Sequence, residues 1–156
     1  ADFEHELPAA GRPEAVEEML APLEPSADVE LLLELVSREL PAGQALHGDA
    51  HLFNCLQASA GPLWHDFETS WRGPREYDLA ALVHRQRSHG DHPASTGALA
   101  AYGDHDADLL EAALPVYAAW VAASSLAAAA RRSGVAEAVE EQLRFLRGYR
   151  RQVDGR

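Results

Sequence analysis

Apolar residues recur at steps of three and four in several stretches of the chain and change to short, turn-bounded pieces in one. Residues 13–20 (PEAVEEML) read as a short amphipathic helix. From Ser26 to Leu40 the residues Val29, Leu32, Leu33, Val36 and Leu40 fall on one helical face. Ser26 supplies an N-cap there, while Asp28 and Glu30 complement the helix dipole in the first turn. Pro41 and Gly43 stop this helix. From Ala45 to Phe67 the pieces ALH, NCLQA and PLWHDF, broken by a turn around Ser59 to Pro62, predict a small β-hairpin. Helical spacing resumes after Gly73-Pro74 with Tyr77, Leu79, Ala80, Leu82 and Val83. A looser region is expected from Ser88 to Asp108, where Gly90, Pro93, Gly97 and Gly103 interrupt the pattern, and an alanine-rich helix follows. A last helix is expected over residues 134–149, capped by Ser133, with Val135, Val139, Leu143 and Leu146 on one face. The predicted fold class is therefore mainly α with a small β-hairpin: a single helical lobe over residues 1–156, with the hairpin region at about 44–82. The sequence shows no internal repeat and no low-complexity linker.

Composition refines this picture in three places. A chain of 156 residues with 47% apolar and 24% charged content is long enough for one domain with a real core. The formal charge of −12 disfavours nucleic acid and anionic membranes as partners, because neither finds a cationic face, and it tolerates a cationic small molecule. Most of the acids fall on polar helix faces, where they form a solvated surface. Residues 112–130 carry no charge, but alanine contributes little transfer free energy, and Pro115, Ser124 and Ser125 interrupt the run. A buried core helix is expected there in preference to a membrane span. Cys55 is the single cysteine, and no basic start with an apolar run lies near Ala1, so a reducing cytoplasm is the expected location.

The hairpin region holds the candidate chemistry. HGDAHLFN at residues 47–54 fits the H-x-D-x-x-x-x-N pattern of kinase catalytic loops, in which the aspartate accepts a hydroxyl proton and the asparagine holds magnesium. HDFE at residues 65–68 then offers Asp66 in the place of a metal-chelating aspartate, with Glu68 where a kinase D-F-G element has glycine. Asn54 is the only asparagine in the chain. Magnesium takes hard oxygen ligands and keeps several waters, so one carboxylate and one amide oxygen, completed by phosphate oxygens, is a sensible set. A strand, turn and strand should bring Asn54 beside Asp66, and the intervening AHLF should let Asp49 face the opposite way, toward an acceptor hydroxyl. An aspartate with a pKa of about 3.9 is a weak base, yet it serves in phosphoryl transfer, where the proton leaves late and the nucleophile must be aimed early.

HGDAHLFN followed by WHDFETSWRGPREYDLAAL resembles the aminoglycoside phosphotransferase and choline kinase-like family, whose members share an H-G-D-x-x-x-x-N loop, a following aspartate and an element ending in D-L-A. The motifs cover about residues 46–82. The resemblance implies the helical C-terminal lobe of a protein-kinase-like fold. It also implies Asp49 as catalytic base, Asn54 and Asp66 as magnesium ligands, and His47 and Asp78 as structural supports. His51 and Glu68 are candidates for lining the cleft. The chain departs from the family where Pro74 directly follows Gly73 and where Leu52-Phe53 replaces the usual proline and glycine. It contains no lysine, and none of its 11 glycines makes a G-x-G-x-x-G loop, so the family's N-terminal nucleotide lobe is expected to be absent from this sequence. Without an initiator methionine at position 1, the chain reads as a C-terminal fragment or a separately produced domain.

The expected function is the catalytic and acceptor-binding lobe of an ATP-dependent small-molecule phosphotransferase acting on a hydroxyl group, inactive until an N-terminal lobe completes it. Its cofactors would be Mg2+ and ATP, and its substrate a small hydroxylated compound, for which the acidic chain would tolerate a cation. The alternative is a non-catalytic pseudokinase or binding module, against which the intact acid, amide and acid argue. A metal-dependent hydrolase would want further ligands. Two other features have plainer readings. The second His-Gly-Asp at residues 89–91 has Thr96 where the asparagine should stand and reads as a loop, with Ser95 or Thr96 capping the next helix. His84, His89, His92 and His105 with Asp91 and Asp104 match no zinc spacing and read as a polar loop, and the acidic run at 104–108 reads as a helix start.

Overall fold

The computed structural model describes residues 7, 13–90, 93–131 and 136–154. Its elements are α1 (Pro13–Leu20), α2 (Ala27–Val36), β1 (Gln44–Leu46), a 3-10 turn (Leu52–Asn54), β2 (Cys55–Ala58), β3 (Gly61–Trp64), β4 (Trp71–Gly73), α3 (Glu76–His89), α4 (Pro93–Tyr102), α5 (Ala107–Arg131) and α6 (Ala136–Asp154). Among the described residues the protein is mainly helical with two small two-stranded sheets, and the chain gathers into two compact units.

The first unit comprises residues 1–11 and 40–114. Two antiparallel pairings organise it. β2 and β3 form the expected hairpin, with Cys55 opposite Trp64 and Ala58 opposite Gly61. The piece that precedes them pairs elsewhere: β1 lies against β4, with Leu46 opposite Trp71 and Gln44 opposite Gly73. Gly43 leads into this second sheet because no larger residue fits, since a Cβ there would lie 2.0 Å from the Gly73 carbonyl oxygen. Trp71 and Tyr77 stack edge to face at 5.0 Å and carry the sheet onto α3.

α3 packs against α4, and Gln86 Nε2 donates to Thr96 Oγ1 at 2.7 Å between them. α4 occupies the region expected to be loose. Pro93 opens it, as proline does at a first helical position, and Ser95 is a buried residue inside it instead of a cap. The acidic run behaves as a helix start: Asp106 Oδ1 accepts from Leu109 N at 3.0 Å. Of the second His-Gly-Asp, Asp91 lies outside the described residues, as does His92.

Glu76, in the first turn of α3, ties this helix to the start of α5. Its Oε1 accepts from Asp106 N at 3.1 Å and from Arg75 Nε at 3.3 Å. Burial opposes ionisation of this side chain. The Asp106 and Glu76 backbone N–H groups and the Arg75 guanidinium outweigh it and hold the carboxyl below its ordinary pKa. A carboxyl depressed in the folded state contributes stability above its unfolded pKa and loses it as pH falls through the folded value. Glu76→Gln should therefore cost about 1 kcal/mol at pH 7. The difference from wild type should shrink as pH falls from the ordinary glutamate range through the lowered folded value, as read by urea midpoints at pH 7 and at successively lower pH.

The second unit comprises residues 12–39 and 115–156. The alanines of α5 explain its packing. Ala118, Ala119, Ala122 and Ala123 are fully buried, and their small side chains leave room for Val16, Leu20, Leu32, Leu35, Val139, Leu143 and Leu146 to close over them. α5 is long and apolar enough to cross a membrane, but here its alanines form the floor of a protein core. α2 begins as expected, with Ser26 accepting from Val29 N at 3.3 Å, and ends at Val36, short of Leu40. Ser37 Oγ bonds the Glu34 carbonyl at 2.9 Å, and Pro41 disfavours helical geometry at Leu40. α6 carries the predicted face of Val139, Leu143 and Leu146, whereas Ser133 and Val135 lie outside the described residues. Arg147 clamps Asp28 by donating from Nε and Nη2 to its two carboxylate oxygens, at 2.9 and 2.6 Å, joining α6 to α2.

Candidate active site

The loop from His47 to Asn54 is held at its start by one carboxylate. Asp78, in the first turn of α3, accepts from His47 N through Oδ2 and from Gly48 N through Oδ1, both at 2.9 Å. Gly48 has a φ of 81°, a left-handed conformation that glycine takes without strain and that turns the chain toward Asp49. Thr69 Oγ1 donates to the His47 carbonyl at 3.4 Å from the segment after Asp66.

His47 joins the two acidic segments. Its Nδ1 accepts from Asp49 N at 3.3 Å, so the ring proton sits on Nε2, which donates to the His65 carbonyl at 2.8 Å. The buried ring also packs against Phe67 at 4.6 Å and Trp64 at 5.4 Å. His65 is thus fixed from both sides, because its N–H donates to the Asn54 carbonyl at 3.0 Å. Between a pinned His65 and a Phe67 packed on His47, the backbone must reverse at Asp66. Asp66 has a φ of 65° and is the only residue other than glycine with positive φ among the described residues. Aspartate tolerates that region better than most residues, but the conformation still costs on the order of 1 kcal/mol, and such strain clusters at functional sites. The side chain is exposed.

Asn54 is buried, at 7% exposure. Its Nδ2 donates to the Asp49 carbonyl at 3.0 Å and reaches Asp49 Oδ2 at 3.4 Å, which commits the amide nitrogen and turns Oδ1 away from that contact. The spacing of acid and amide therefore closes the loop on itself. It does not send Asp49 the opposite way, as the sequence suggested: the Asp49 carboxylate faces the Asn54 amide, because the 3-10 turn at Leu52–Asn54 folds the amide back under it. His51 Nε2 also stands 3.4 Å from Asp49 Oδ2. Its hydrogen bond to Asp49 raises the His51 pKa above the ordinary value, against the opposing effect of burial.

Of the residues singled out in the sequence, His47, Asp49, Asn54, Asp78 and His51 form one bonded cluster, and Asp66 is tied to it through the His65 backbone. Glu68 is exposed and makes no hydrogen bond or ion pair among the described residues. His65 and Thr69 were not legible as contributors. The position of His65 immediately before Asp66 was the available signal for the first, and nothing in the pattern marked the second. Of the other histidines, His84 is buried in α3 and His105 bonds the Gly103 carbonyl, and no group of three or more His, Cys, Asp or Glu side chains among the described residues is placed to hold a metal. An acid and an amide oxygen nevertheless suit a hard cation whose remaining ligands are water and phosphate.

A cavity of about 360 Å3 adjoins the loop, with His47, Ala50, Trp64, Phe67, Leu82 and Tyr102 among its walls. Outside it, Phe53 on the 3-10 turn and Leu56 and Leu63 on the hairpin are more than half exposed, at 71%, 52% and 58%. Leu56 and Leu63 are cross-strand partners, so they form one apolar face.

No curated protein and no solved structure gives a match to the chain. The family model of the phosphotransferase enzymes, APH, matches residues 1–120, which include both acidic segments, the Asp78 clamp and the cavity. The chain belongs to the phosphotransferase enzyme family.

Proposed function

We propose that this chain is the catalytic and acceptor-binding lobe of an ATP-dependent phosphotransferase acting on a hydroxyl group of a small molecule. The observation that carries the reading is the bonded cluster in which Asn54 turns its amide nitrogen into Asp49 while the His47 ring fixes the backbone before a strained, exposed Asp66. In this reading Asp49 orients the acceptor hydroxyl and takes its proton as the new O–P bond forms. Asn54 Oδ1 and the Asp66 carboxylate would hold magnesium. The ion, when bound, neutralises charge on the phosphates. His47 and Asp78 keep the base and the ligand pair in register without touching substrate. The acceptor is assigned to the cavity beside Ala50, whose volume is in the range usual for small-ligand sites.

The apolar cross-strand pair of Leu56 and Leu63 is exposed on the hairpin, and the Phe53 side chain is exposed on the turn that precedes it. We assign these side chains to the nucleotide and to the lobe that covers it, which would also supply the cationic phosphate anchor that a chain without lysine lacks. Alone, the chain should bind Mg-ATP weakly and turn over negligibly. In calorimetry, tight ATP binding by this chain would count against the assignment.

The reading is tested by supplying the two-lobed protein with ATP, Mg2+ and a panel of hydroxylated compounds and following ADP release. Acceptor-dependent release is expected. Binding of acceptors without any release would favour a non-catalytic module instead. Asp66→Ala should raise the Mg2+ concentration needed for half-maximal rate by about tenfold or more, the effect of losing one ligand worth a charged hydrogen bond. An unchanged Mg2+ dependence would remove Asp66 from the metal site.

A further inference from the structure

Two histidines of the loop repeat one arrangement. His47 Nδ1 accepts from the N–H of Asp49, and His51 Nδ1 accepts from the N–H of Phe53 at 3.2 Å, in each case two residues further on. The first ring then spends its Nε2–H on the backbone before Asp66. The second has its Nε2 at 3.4 Å from Asp49 Oδ2. Because Phe53 N–H needs a lone pair on Nδ1, the His51 ring proton is fixed on Nε2, on the side of the carboxylate. The ring is held from its flank as well: Phe53 stands edge-on to it at 5.8 Å, and the Arg85 guanidinium lies 5.0 Å from the centre of the Phe53 ring.

We infer that His51 is a positioning residue for Asp49, presenting a fixed Nε2–H to Oδ2 so that the carboxylate meets an acceptor hydroxyl in one orientation. The inference rests on the reading of Asp49 as base. The Asn54 amide approaches the same oxygen, also at 3.4 Å, so Oδ2 is held between two donors from the two ends of the 3-10 turn. Both contacts are longer than an optimal hydrogen bond. Catalytic hydrogen bonds often stand long without substrate and tighten in the complex.

A purely structural histidine would do only the first job, capping the 3-10 turn through Nδ1, and two substitutions separate the jobs. In His51→Asn the side-chain oxygen replaces Nδ1 and keeps the Phe53 cap but cannot reach Asp49. In His51→Gln the amide nitrogen replaces Nε2 and keeps a donor toward the carboxylate. The direct readout is the 13C shift of the Asp49 carboxyl carbon, measured by NMR on the chain itself. It should move in His51→Asn and stay near wild type in His51→Gln. In the two-lobed protein kcat should fall about tenfold in His51→Asn, the equivalent of one hydrogen bond to a charged group. The KM for ATP should be unchanged, and His51→Gln should restore most of the rate. A carboxyl shift unaltered in His51→Asn, or altered equally in both variants, would overturn the inference. Full turnover in Asp49→Asn would instead overturn the reading of Asp49 as base, and the carboxyl shifts would not be affected by that result.

Discussion

In the proposed two-lobed enzyme, Asp49→Asn should lower kcat by about 100-fold to 10,000-fold, the usual weight of a general base, with little change in the KM for ATP. That loss corresponds to about 3 to 5 kcal/mol of transition-state stabilisation. The substitution should leave the fold in place. The main-chain bonds of residue 49, from its N–H to His47 Nδ1 and from Asn54 Nδ2 to its carbonyl, do not depend on the side chain. An amide oxygen can still face the Asn54 amide where Oδ2 stood. Rate and stability should therefore separate, with thermal midpoints close to wild type beside a rate near background. A variant that loses both together would show that the carboxylate is needed to build the loop.

Asp78→Ala should show the reverse pattern in this chain, destabilising the loop before any chemistry is considered. The carboxylate accepts two main-chain N–H groups at 2.9 Å, and their residues are buried. Removing it leaves both donors without that acceptor, at about 1 to 3 kcal/mol each. A total of about 2 to 5 kcal/mol is expected, with Asp78→Asn intermediate because an amide oxygen can serve one N–H. Amide hydrogen exchange at His47 and Gly48 reads the effect locally, and urea unfolding reads it for the whole unit. If exchange at Gly48 is as slow in Asp78→Ala as in wild type, the clamp is not what holds the loop.

The loop was the most legible part of the sequence because its order is local. The carboxylate of Asp49, the amide of Asn54 and the two ring-to-backbone bonds all close within a few residues, so a short motif specifies them. The Asp49 orientation was missed for the same physical reason that the motif works: a 3-10 turn returns the amide to the acid, and no periodicity rule shows such a turn. Pairings across longer distances were hidden. β1 joins β4 across an intervening hairpin, and only the close approach of Gly43 to Gly73 and the apolar pair Leu46 and Trp71 express it. In the sequence α4 reads as loose because Pro93 and Gly97 punctuate it and its residues are mostly small. Proline is at home at a helix start, and a buried Ser95 gives no apolar signal. The alanine helix was legible in type and extent, because bulky neighbours are needed to cover so much small-residue surface and the sequence supplies them on α1, α2 and α6.

The ligand pair is the central claim, and a paramagnetic ion tests it most directly. Mn2+ titrated with ATP into the isotope-labelled protein in its proposed two-lobed form should broaden the NMR signals of Asn54 and Asp66 first, and the broadening should disappear in Asn54→Ala and Asp66→Ala. Broadening centred on the acidic segment at residues 104–108, with Asn54 and Asp66 untouched, would contradict the account.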